Sequence, residues 1–270
     1  MPAMCLIILA WRPRDNLPLV VAANRDEFHA RPSVPAHFWP DQPSLLAGRD
    51  LSAGGTWMGV TREGRFAALT NFRDPARSQP RERSRGELAV EFLCSDLAPS
   101  EYLRRLGPRA DAYAGFNLLA GTPGELACYS NCAAPENALQ ILSPGIYGLS
   151  NALLDTPWPK VVEGRRALGQ VLADGAPPDH ASLRAVVSDR RPAPASALHP
   201  LGQTETMDRT LSAQFILTPT YGTRATTTLW LSGTDDGALT GDWCEVSFDA
   251  EGRESGRCEW RFAAAGGTVS

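Results

Sequence analysis

The sequence predicts an α+β fold, in which two antiparallel β-sheets pack together between outer layers of helices, giving a four-layer α-β-β-α sandwich. The predicted elements occur in blocks: strands, two helices, strands, two helices and strands. The strict alternation of a doubly wound parallel sheet is therefore absent. Hydrophobic residues make up 43% and charged residues 21% of the 270 residues. This composition is ordinary for a globular chain that builds a sizeable core.

The first third of the chain is predicted to consist mainly of strands. Four apolar or alternating segments predict them, at residues 5–11, 18–24, 56–61 and 66–71. The first two segments flank the turn-forming stretch Arg12–Asn16, which predicts a hairpin. The proline-rich stretch 31–43 is predicted to be irregular.

Two pairs of helices are predicted further along the chain. Ser84–Glu87 has the spacing of a capping box and predicts the start of the first helix. The second is predicted at residues 100–106. Asp155–Pro157 predicts the start of a third helix, with proline at its first position. That helix is expected to run through residues 158–172, followed by a fourth at 179–189.

The remaining segments are predicted as strands and loops within a single domain that spans residues 1–270. Strands are expected at residues 116–120, 126–130, 139–142, 146–150, 213–217, 225–231, 243–248 and 258–262. The proline-, serine- and threonine-rich stretch near 191–206 is predicted to be a long surface loop. Residues 263–270 are expected to form a flexible tail.

Composition excludes several classes of function. The net charge of −4 argues against binding to nucleic acid. The longest apolar run, residues 5–11, is too short to cross a bilayer, so stable membrane insertion is not expected. Lys160 is the only lysine among 26 cationic residues, so lysine-based catalysis is not expected. Six widely spaced cysteines indicate a reduced, cytoplasmic protein, and no motif with metal-ligand spacing is present.

Cys5 is the candidate nucleophile. If translation starts at Met4, removal of that methionine leaves Cys5 with a free α-amine, whose pKa of about 8 matches that of a thiol near 8.5. Such an amine can accept the thiol proton. If translation starts at Met1, removal of that residue leaves Pro2 at the terminus, and Cys5 has no free amine. Cys5 is then only the first residue of a buried strand.

The predicted hairpin brings charged residues to Cys5. With paired positions that sum to about 29, Cys5 lies opposite Asn24, and Arg25 and Asp26 lie just beyond. An arginine beside a thiol favours the thiolate and lowers its pKa. Asp26 is expected to orient Arg25 or to hold the terminal amine.

Several short motifs occur in order along most of the chain. They are Met4-Cys5-Leu6-Ile7, Ala22-Ala23-Asn24-Arg25-Asp26-Glu27-Phe28, Arg31-Pro32, Gly54-Gly55-Thr56-Trp57-Met58-Gly59, Ala68-Leu69-Thr70-Asn71, Tyr147-Gly148-Leu149-Ser150-Asn151, Thr156-Pro157-Trp158-Pro159-Lys160 and Tyr221-Gly222-Thr223-Arg224. Together they resemble the NRDE family, which is the family of the transport and Golgi organization protein 2.

The resemblance implies a fold similar to that of the N-terminal-nucleophile hydrolases of the choloylglycine and penicillin-acylase type. It implies Cys5 as the nucleophile, with Arg25 and Asp26 supporting its thiolate and amine. Asn151 would donate to the oxyanion, and Arg224 would place a second charge near the site. An asparagine N–H in this role stabilises a transition state by roughly 3–4 kcal/mol.

The resemblance also implies intracellular haem trafficking, with haem as cargo and no required cofactor. The axial group would be Cys5 or one of the four histidines, His29, His37, His180 and His199. Contacts with a small-molecule ligand are expected from Asn24, Trp57, Asn71 and Arg73. Trp57 belongs to a group of aromatic residues, Trp39, Trp57, Phe66 and Phe72, most of which are expected in the core.

Two alternatives to haem trafficking stay open. The first is a cysteine-dependent amidohydrolase, which uses Cys5 to hydrolyse a small acylated amide. The second is a non-catalytic protein that binds a lipid or acyl-CoA.

Overall fold

The computed structural model describes residues 5–73, 81, 83–198, 205–233 and 238–263. Its strands in chain order are β1 (Cys5–Arg14), β2 (Leu17–Phe28), β3 (Ser33–Trp39), β4 (Gln42–Asp50), β5 (Met58–Thr61), β6 (Phe66–Asn71), β7 (Phe116–Gly121), β8 (Leu126–Ser130), β9 (Leu139–Ile141), β10 (Gly145–Leu149), β11 (Tyr221–Gly233), β12 (Leu239–Phe248) and β13 (Glu254–Ala263). Its helices are α1 (Gly86–Leu93), α2 (Pro99–Leu106), α3 (Pro159–Leu172), α4 (His180–Ala185) and α5 (Glu205–Thr210).

The strands form two antiparallel sheets. The first has six strands in the order β10-β1-β2-β11-β12-β13, and the second has seven in the order β3-β4-β5-β6-β7-β8-β9. One apolar core lies between the sheets, a second lies under α1 and α2, and a third lies under α3 and α4. The predicted four-layer α-β-β-α arrangement is confirmed.

Alternation along β1 and β2 assigns their side chains to two different layers. Ile7 and Val21 face the second sheet, whereas Ile8 and Ala22 face the helices. Both strands are buried on both faces, which explains why they appear in the sequence as continuous apolar runs. Odd-numbered residues near the start of β1 therefore point towards the space between the sheets.

The stretch predicted to be irregular contains β3 and the start of β4. This prediction was wrong because β3 is an edge strand of the seven-stranded sheet. Pro35 is tolerated within it because an edge strand leaves some backbone N–H groups outside the ladder. Conversely, the strand predicted at 213–217 is reduced to an isolated bridge between Leu217 and Gly222.

Two helix starts differ from the predictions. Helix α1 has Arg85 at its N-cap without a side-chain hydrogen bond, so the capping box of Ser84 is not formed. Helix α3 starts at Pro159, two residues after the predicted proline. Helix α4 ends at Ala185, shorter than expected, but Asp179 caps it by accepting from two backbone N–H groups.

The predicted loop at 191–206 contains the first residues of α5, while residues 199–204 lie outside the described part of the chain. The candidate axial residue His199 lies within that range, and residues 1–4 and 264–270 are likewise outside the described part of the chain. Among the described helices, none is long and apolar enough to cross a bilayer.

Candidate functional site

A cleft of about 950 Å³ opens over the first residue of β1. Six of the residues predicted to form the site contribute to its lining: Cys5, Arg25, Asp26, Trp57, Asn71 and Arg224. Its volume lies near the upper end of the range usual for small-molecule sites. The predicted residues Asn24, Arg73 and Asn151 do not line it.

Strand β10 brings Asn151 to the backbone of Cys5. Leu149 pairs with Ile7, and the chain continues beyond β10 along the start of β1. The backbone N–H of Cys5 donates to Asn151 Oδ1 at 3.3 Å, and Ser150 Oγ donates to the Cys5 carbonyl at 2.7 Å. These bonds fix the position of Cys5 at the edge of the cleft.

The amide of Asn151 is oriented by further contacts. Its Nδ2 donates to the Asn71 backbone carbonyl at 2.9 Å, and the backbone carbonyl of Asn151 accepts from the Arg73 backbone N–H at 2.8 Å. In this arrangement Asn151 holds the nitrogen of Cys5. The proposed role as an oxyanion donor stays a prediction.

Arg25 lies directly opposite Cys5 in the β1–β2 pair. The predicted pairing with Asn24 was wrong by one residue because Trp11, at the turn end of the ladder, pairs with Leu19 and not with Pro18. A shift of one residue moves side chains to the other face of a strand. The observed register therefore places Arg25, and not Asn24, on the same face as Cys5.

Burial determines the protonation of the Cys5 thiol. Cys5 is only 6% exposed, and burial, assisted by the negative charge of Asp26, raises its pKa to about 12. A backbone hydrogen bond from Asp26 and the charge of Arg25 act in the opposite direction. Arg25 thus has the expected effect on the thiol, but the cost of desolvation is larger.

The side chain of Asn24 is buried and makes structural hydrogen bonds. Its Nδ2 donates to the carbonyls of Val187 and Gln214 at 2.7 and 2.9 Å. Its Oδ1 accepts from Thr226 Oγ1 at 2.7 Å. The side chain thus ties β2 and β11 to the segments beneath the sheet, away from the cleft.

Asp26 is almost completely buried. Its Oδ1 accepts from Thr223 Oγ1 at 2.6 Å, while Oδ2 has no hydrogen-bond partner among the described residues. Burial raises the pKa of Asp26, and the positive charge of Lys160 is the largest influence that lowers it. Sequence reasoning missed Lys160, although it is the only lysine and lies in a motif of the family.

Arg224 occupies a bulge in β11. Thr223 pairs with Asp26 and Ala225 pairs with Arg25, so Arg224 is the extra residue between them. Bulges redirect side chains in this way. Its Nη1 donates to the carbonyls of Phe28 and Arg31 at 3.0 and 2.9 Å, and its side chain reaches the cleft.

The Gly54–Gly59 motif brings helix α1 to the cleft. A Cβ added at Gly55 would lie 2.5 Å from the carbonyl carbon of Gly86, so the two backbones pack without side chains. This contact places Arg85 in the lining, where its Nη1 donates to the Gly115 carbonyl at 2.9 Å. Burial lowers the pKa of Arg85, whereas Cys5 raises it. Sequence reasoning also missed this arginine.

Arginines outnumber carboxylates in the described lining. The seven arginines are Arg25, Arg31, Arg49, Arg81, Arg83, Arg85 and Arg224, and the four acids are Asp26, Glu27, Asp50 and Glu245. Glu245 is buried and accepts from the Ala36 N–H at 3.0 Å, and burial raises its pKa. The cleft is therefore locally cationic in a chain whose net charge is −4.

The remaining predicted ligand groups divide between cleft and core. Trp57 and Phe72 line the cleft, whereas Trp39 and Phe66 belong to apolar cores. Arg73 is buried in an ion pair with Asp208 at 3.1 Å. The described histidines do not line the cleft. No group of three or more potential metal ligands is found in the described part of the chain.

A family model described as Transport and Golgi organisation 2 matches residues 4–240. The chain belongs to this family. It is 36% identical over 243 residues to the mouse Transport and Golgi organization 2 homolog, covering 83% of this chain and 87% of that protein. It is 37% identical over 256 residues to the cattle homolog, covering 88% and 91%. The family predicted from the sequence is confirmed.

Among solved structures, this Transport and Golgi organisation 2 family member is similar to the Caenorhabditis elegans ortholog of N-acylethanolamine-hydrolyzing acid amidase. The TM-score is 0.41 and the sequence identity is 12%. The match covers 68% of this chain and 86% of that chain.

Proposed function

We propose that the protein is an N-terminal-cysteine amidohydrolase that acts on a small acylated amide with an anionic group. One observation carries the proposal. The backbone nitrogen of Cys5 is held by Asn151 Oδ1, while the thiol of the same residue lies at the cleft, opposite Arg25. Both groups that an N-terminal nucleophile needs are thus held in place on one residue.

The proposal requires that the residues before Cys5 are removed. The thiol, whose pKa burial raises to about 12, is protonated at neutral pH and needs a base. A terminal amine at Cys5 is the nearest candidate. The amine accepts the thiol proton. The resulting ammonium would donate to Asn151 Oδ1, which already accepts from the Cys5 nitrogen, and the negative charge of Asp26 would favour it.

The reaction then follows two balanced steps. The Cys5 thiolate attacks the amide carbonyl, the C–N bond breaks, and the Cys5 ammonium gives its proton to the departing amine. This leaves an acyl group as a thioester on the sulfur. Water, deprotonated by the Cys5 amine, attacks the thioester, releases a carboxylic acid and restores the thiol.

The charge of the cleft supports an anionic substrate. Arg85, at the N-cap of α1, and Arg224, in the bulge of β11, both line it. Arginine binds carboxylate and phosphate groups through paired hydrogen bonds. An N-acyl amino acid, whose carboxylate lies close to the scissile amide, combines the features that this cleft would recognise.

Two measurements test the proposal. The intact mass of protein expressed without an N-terminal tag should correspond to a chain that begins at Cys5. Release of amine from N-acyl amino acids should be abolished by Cys5→Ala, while Cys94→Ala, at an exposed cysteine, serves as the matched control. A terminus elsewhere, or turnover that survives Cys5→Ala, would contradict the proposal.

Haem binding is a second candidate, favoured by the size and charge of the cleft. Arginines would pair with the two propionates, Trp57 and Phe72 would contact the ring, and Cys5 would be the axial group. Titration with haemin should give a saturable Soret change that Cys5→Ala alters. The absence of a saturable change, or equal competition by unrelated planar dyes, would argue against it.

We also propose that the protein works in the cytoplasm. All six cysteines are free, including exposed Cys94 and the partly exposed Cys132 and Cys258. Free thiols persist in a reducing compartment. Cell fractionation that finds the protein in the cytosolic fraction supports this location, and recovery from an oxidising compartment would contradict it.

A further inference from the structure

Lys160 occupies a position that is unfavourable for a lysine. It is the second residue of α3 and only 3% of its surface is exposed. The N-terminus of a helix carries a partial positive charge, so an ammonium there is disfavoured. Burial adds the cost of removing the charge from water. The protein therefore maintains this cation against two opposing effects.

The contacts of Lys160 show what holds it. Its Nζ donates to the Leu211 carbonyl at 3.2 Å and lies 5.7 Å from the centre of the Trp158 ring. Asp208 lines a small pocket together with Lys160, but its carboxylate is paired with Arg73. Asp26 is the group that acts most strongly to keep Lys160 charged, and Cys5 acts in the same direction.

Asp26 connects Lys160 with the cleft. The alternation of β2 directs Asp26 towards the helix layer, where α3 lies, and its Oδ2 is buried without a hydrogen-bond partner among the described residues. The backbone N–H of Asp26 and its charge both act on the Cys5 thiol. Groups on three elements surround the carboxylate: Lys160 from α3, Arg25 and Glu27 from β2, and Thr223 from β11.

We infer that Lys160 is a positioning residue, which acts through Asp26 by keeping this carboxylate ionised beneath Cys5. The inference rests on the proposed function. When the thiol gives its proton to the amine of Cys5, an ammonium appears next to Asp26. A charged Asp26 stabilises that ammonium, whereas a protonated Asp26 does not. Loss of Lys160 would shift Asp26 towards its protonated form, because Lys160 is the largest influence that lowers the pKa of this buried carboxylate.

The rate of Cys5 alkylation by iodoacetamide tests the inference without any substrate. The test uses protein with an N-terminal tag, in which Cys5 has no free amine and no ammonium forms beside Asp26. In Lys160→Met, protonation of Asp26 then removes a negative charge beside the thiol, so alkylation at pH 7 should become faster by roughly tenfold. A lysine that acted directly on the thiol would give the opposite result, because loss of its positive charge slows alkylation. Slower or unchanged alkylation overturns the inference. Peptide mapping by mass spectrometry separates Cys5 from the other cysteines.

Companion variants show whether the effect passes through Asp26. Lys160→Arg retains the charge and should alkylate at the wild-type rate. Asp26→Asn should accelerate alkylation like Lys160→Met, and Lys160→Met added to Asp26→Asn should give no further acceleration. Independent, additive effects of the two substitutions would contradict the inference.

The single lysine permits a test that leaves Lys160 unchanged. Isotopic labelling of lysine in an untagged chain gives one side-chain NMR signal, and the titration of this signal measures the pKa of Lys160. This measurement does not depend on whether Lys160→Met folds. Asp26→Asn should lower its midpoint by about one pH unit or more. An unchanged midpoint overturns the inference. If these results hold and no amide is hydrolysed, the proposed function fails while the Lys160–Asp26 pair stands.

Discussion

Cys5 and Asn151 are joined by a hydrogen bond of 3.3 Å from the backbone N–H of Cys5 to the side-chain oxygen of Asn151. The two residues are brought together because Asn151 follows β10, which pairs with β1. This bond fixes the nitrogen that the proposed mechanism uses as a base.

Replacement of Asn151 by alanine should reduce the proposed turnover by on the order of 100-fold, because the Cys5 nitrogen loses its anchor. The same change should lower the free energy of unfolding by about 1–3 kcal/mol, since buried groups lose their partners. Kinetic assays and thermal denaturation measure the two effects. Asn131→Ala is the matched control, because buried Asn131 accepts from the Phe116 N–H in the second sheet and does not line the cleft. Equal losses of turnover in both variants would contradict the role of Asn151.

Replacement of Arg25 by alanine should raise the pKa of the Cys5 thiol, because Arg25 is a cation that lowers it. Alkylation of Cys5 at a given pH should become slower, and its pH profile should move upward. Arg49→Ala is the control, since Arg49 lines the cleft but pairs with Asp41. An unchanged profile in Arg25→Ala would exclude the proposed contact.

Glu245→Gln should change how stability depends on pH. Burial raises the pKa of Glu245 above its usual 4.5, so the folded protein binds the proton more tightly than the unfolded chain. The contribution of Glu245 to stability is therefore greatest below pH 4.5 and declines as pH rises through the raised value. Melting temperatures across this range should improve for Glu245→Gln relative to the wild type as pH increases.

Glu259→Gln is the control for that experiment. Glu259 pairs with Arg257, which lowers the pKa of Glu259. The contribution of Glu259 to stability is therefore lost as pH falls, whereas that of Glu245 is lost as pH rises. If the melting temperatures of the wild type and Glu245→Gln change with pH by the same amount, the pKa of Glu245 is not raised in the folded protein.

Gly55→Ala should destabilise the protein by about 1–3 kcal/mol, because the added methyl group overlaps the backbone of Gly86. The displacement should also move Arg85 away from the cleft and weaken binding of an anionic ligand. Gly124→Ala, in the turn between β7 and β8, is the control, since its added Cβ approaches no atom closer than 3.9 Å. Equal stabilities of the two variants, measured by denaturant unfolding, would show that the close backbone contact is not needed.

The layers of the fold were predictable from the sequence because burial on both faces leaves apolar runs, as in β1 and β2. Strand β3 was missed because an edge strand lacks that pattern and contains Pro35. The pairing of Cys5 was predicted to within one residue. The error arose at the turn, because the sequence of the turn does not show which residue of β2 pairs with the last residues of β1.

The sequence by itself determined the family, the layer order and the presence of Cys5 near a group of charged residues, because local patterns and motif order carry this information. Only the tertiary structure decided the protonation of Cys5 and the environments of Lys160, Arg85 and Asn24. Desolvation and charge–charge interaction depend on depth and distance in space. Lys160 is far from Asp26 along the chain, yet the packing of α3 on the first sheet lets the charge of each shift the pKa of the other.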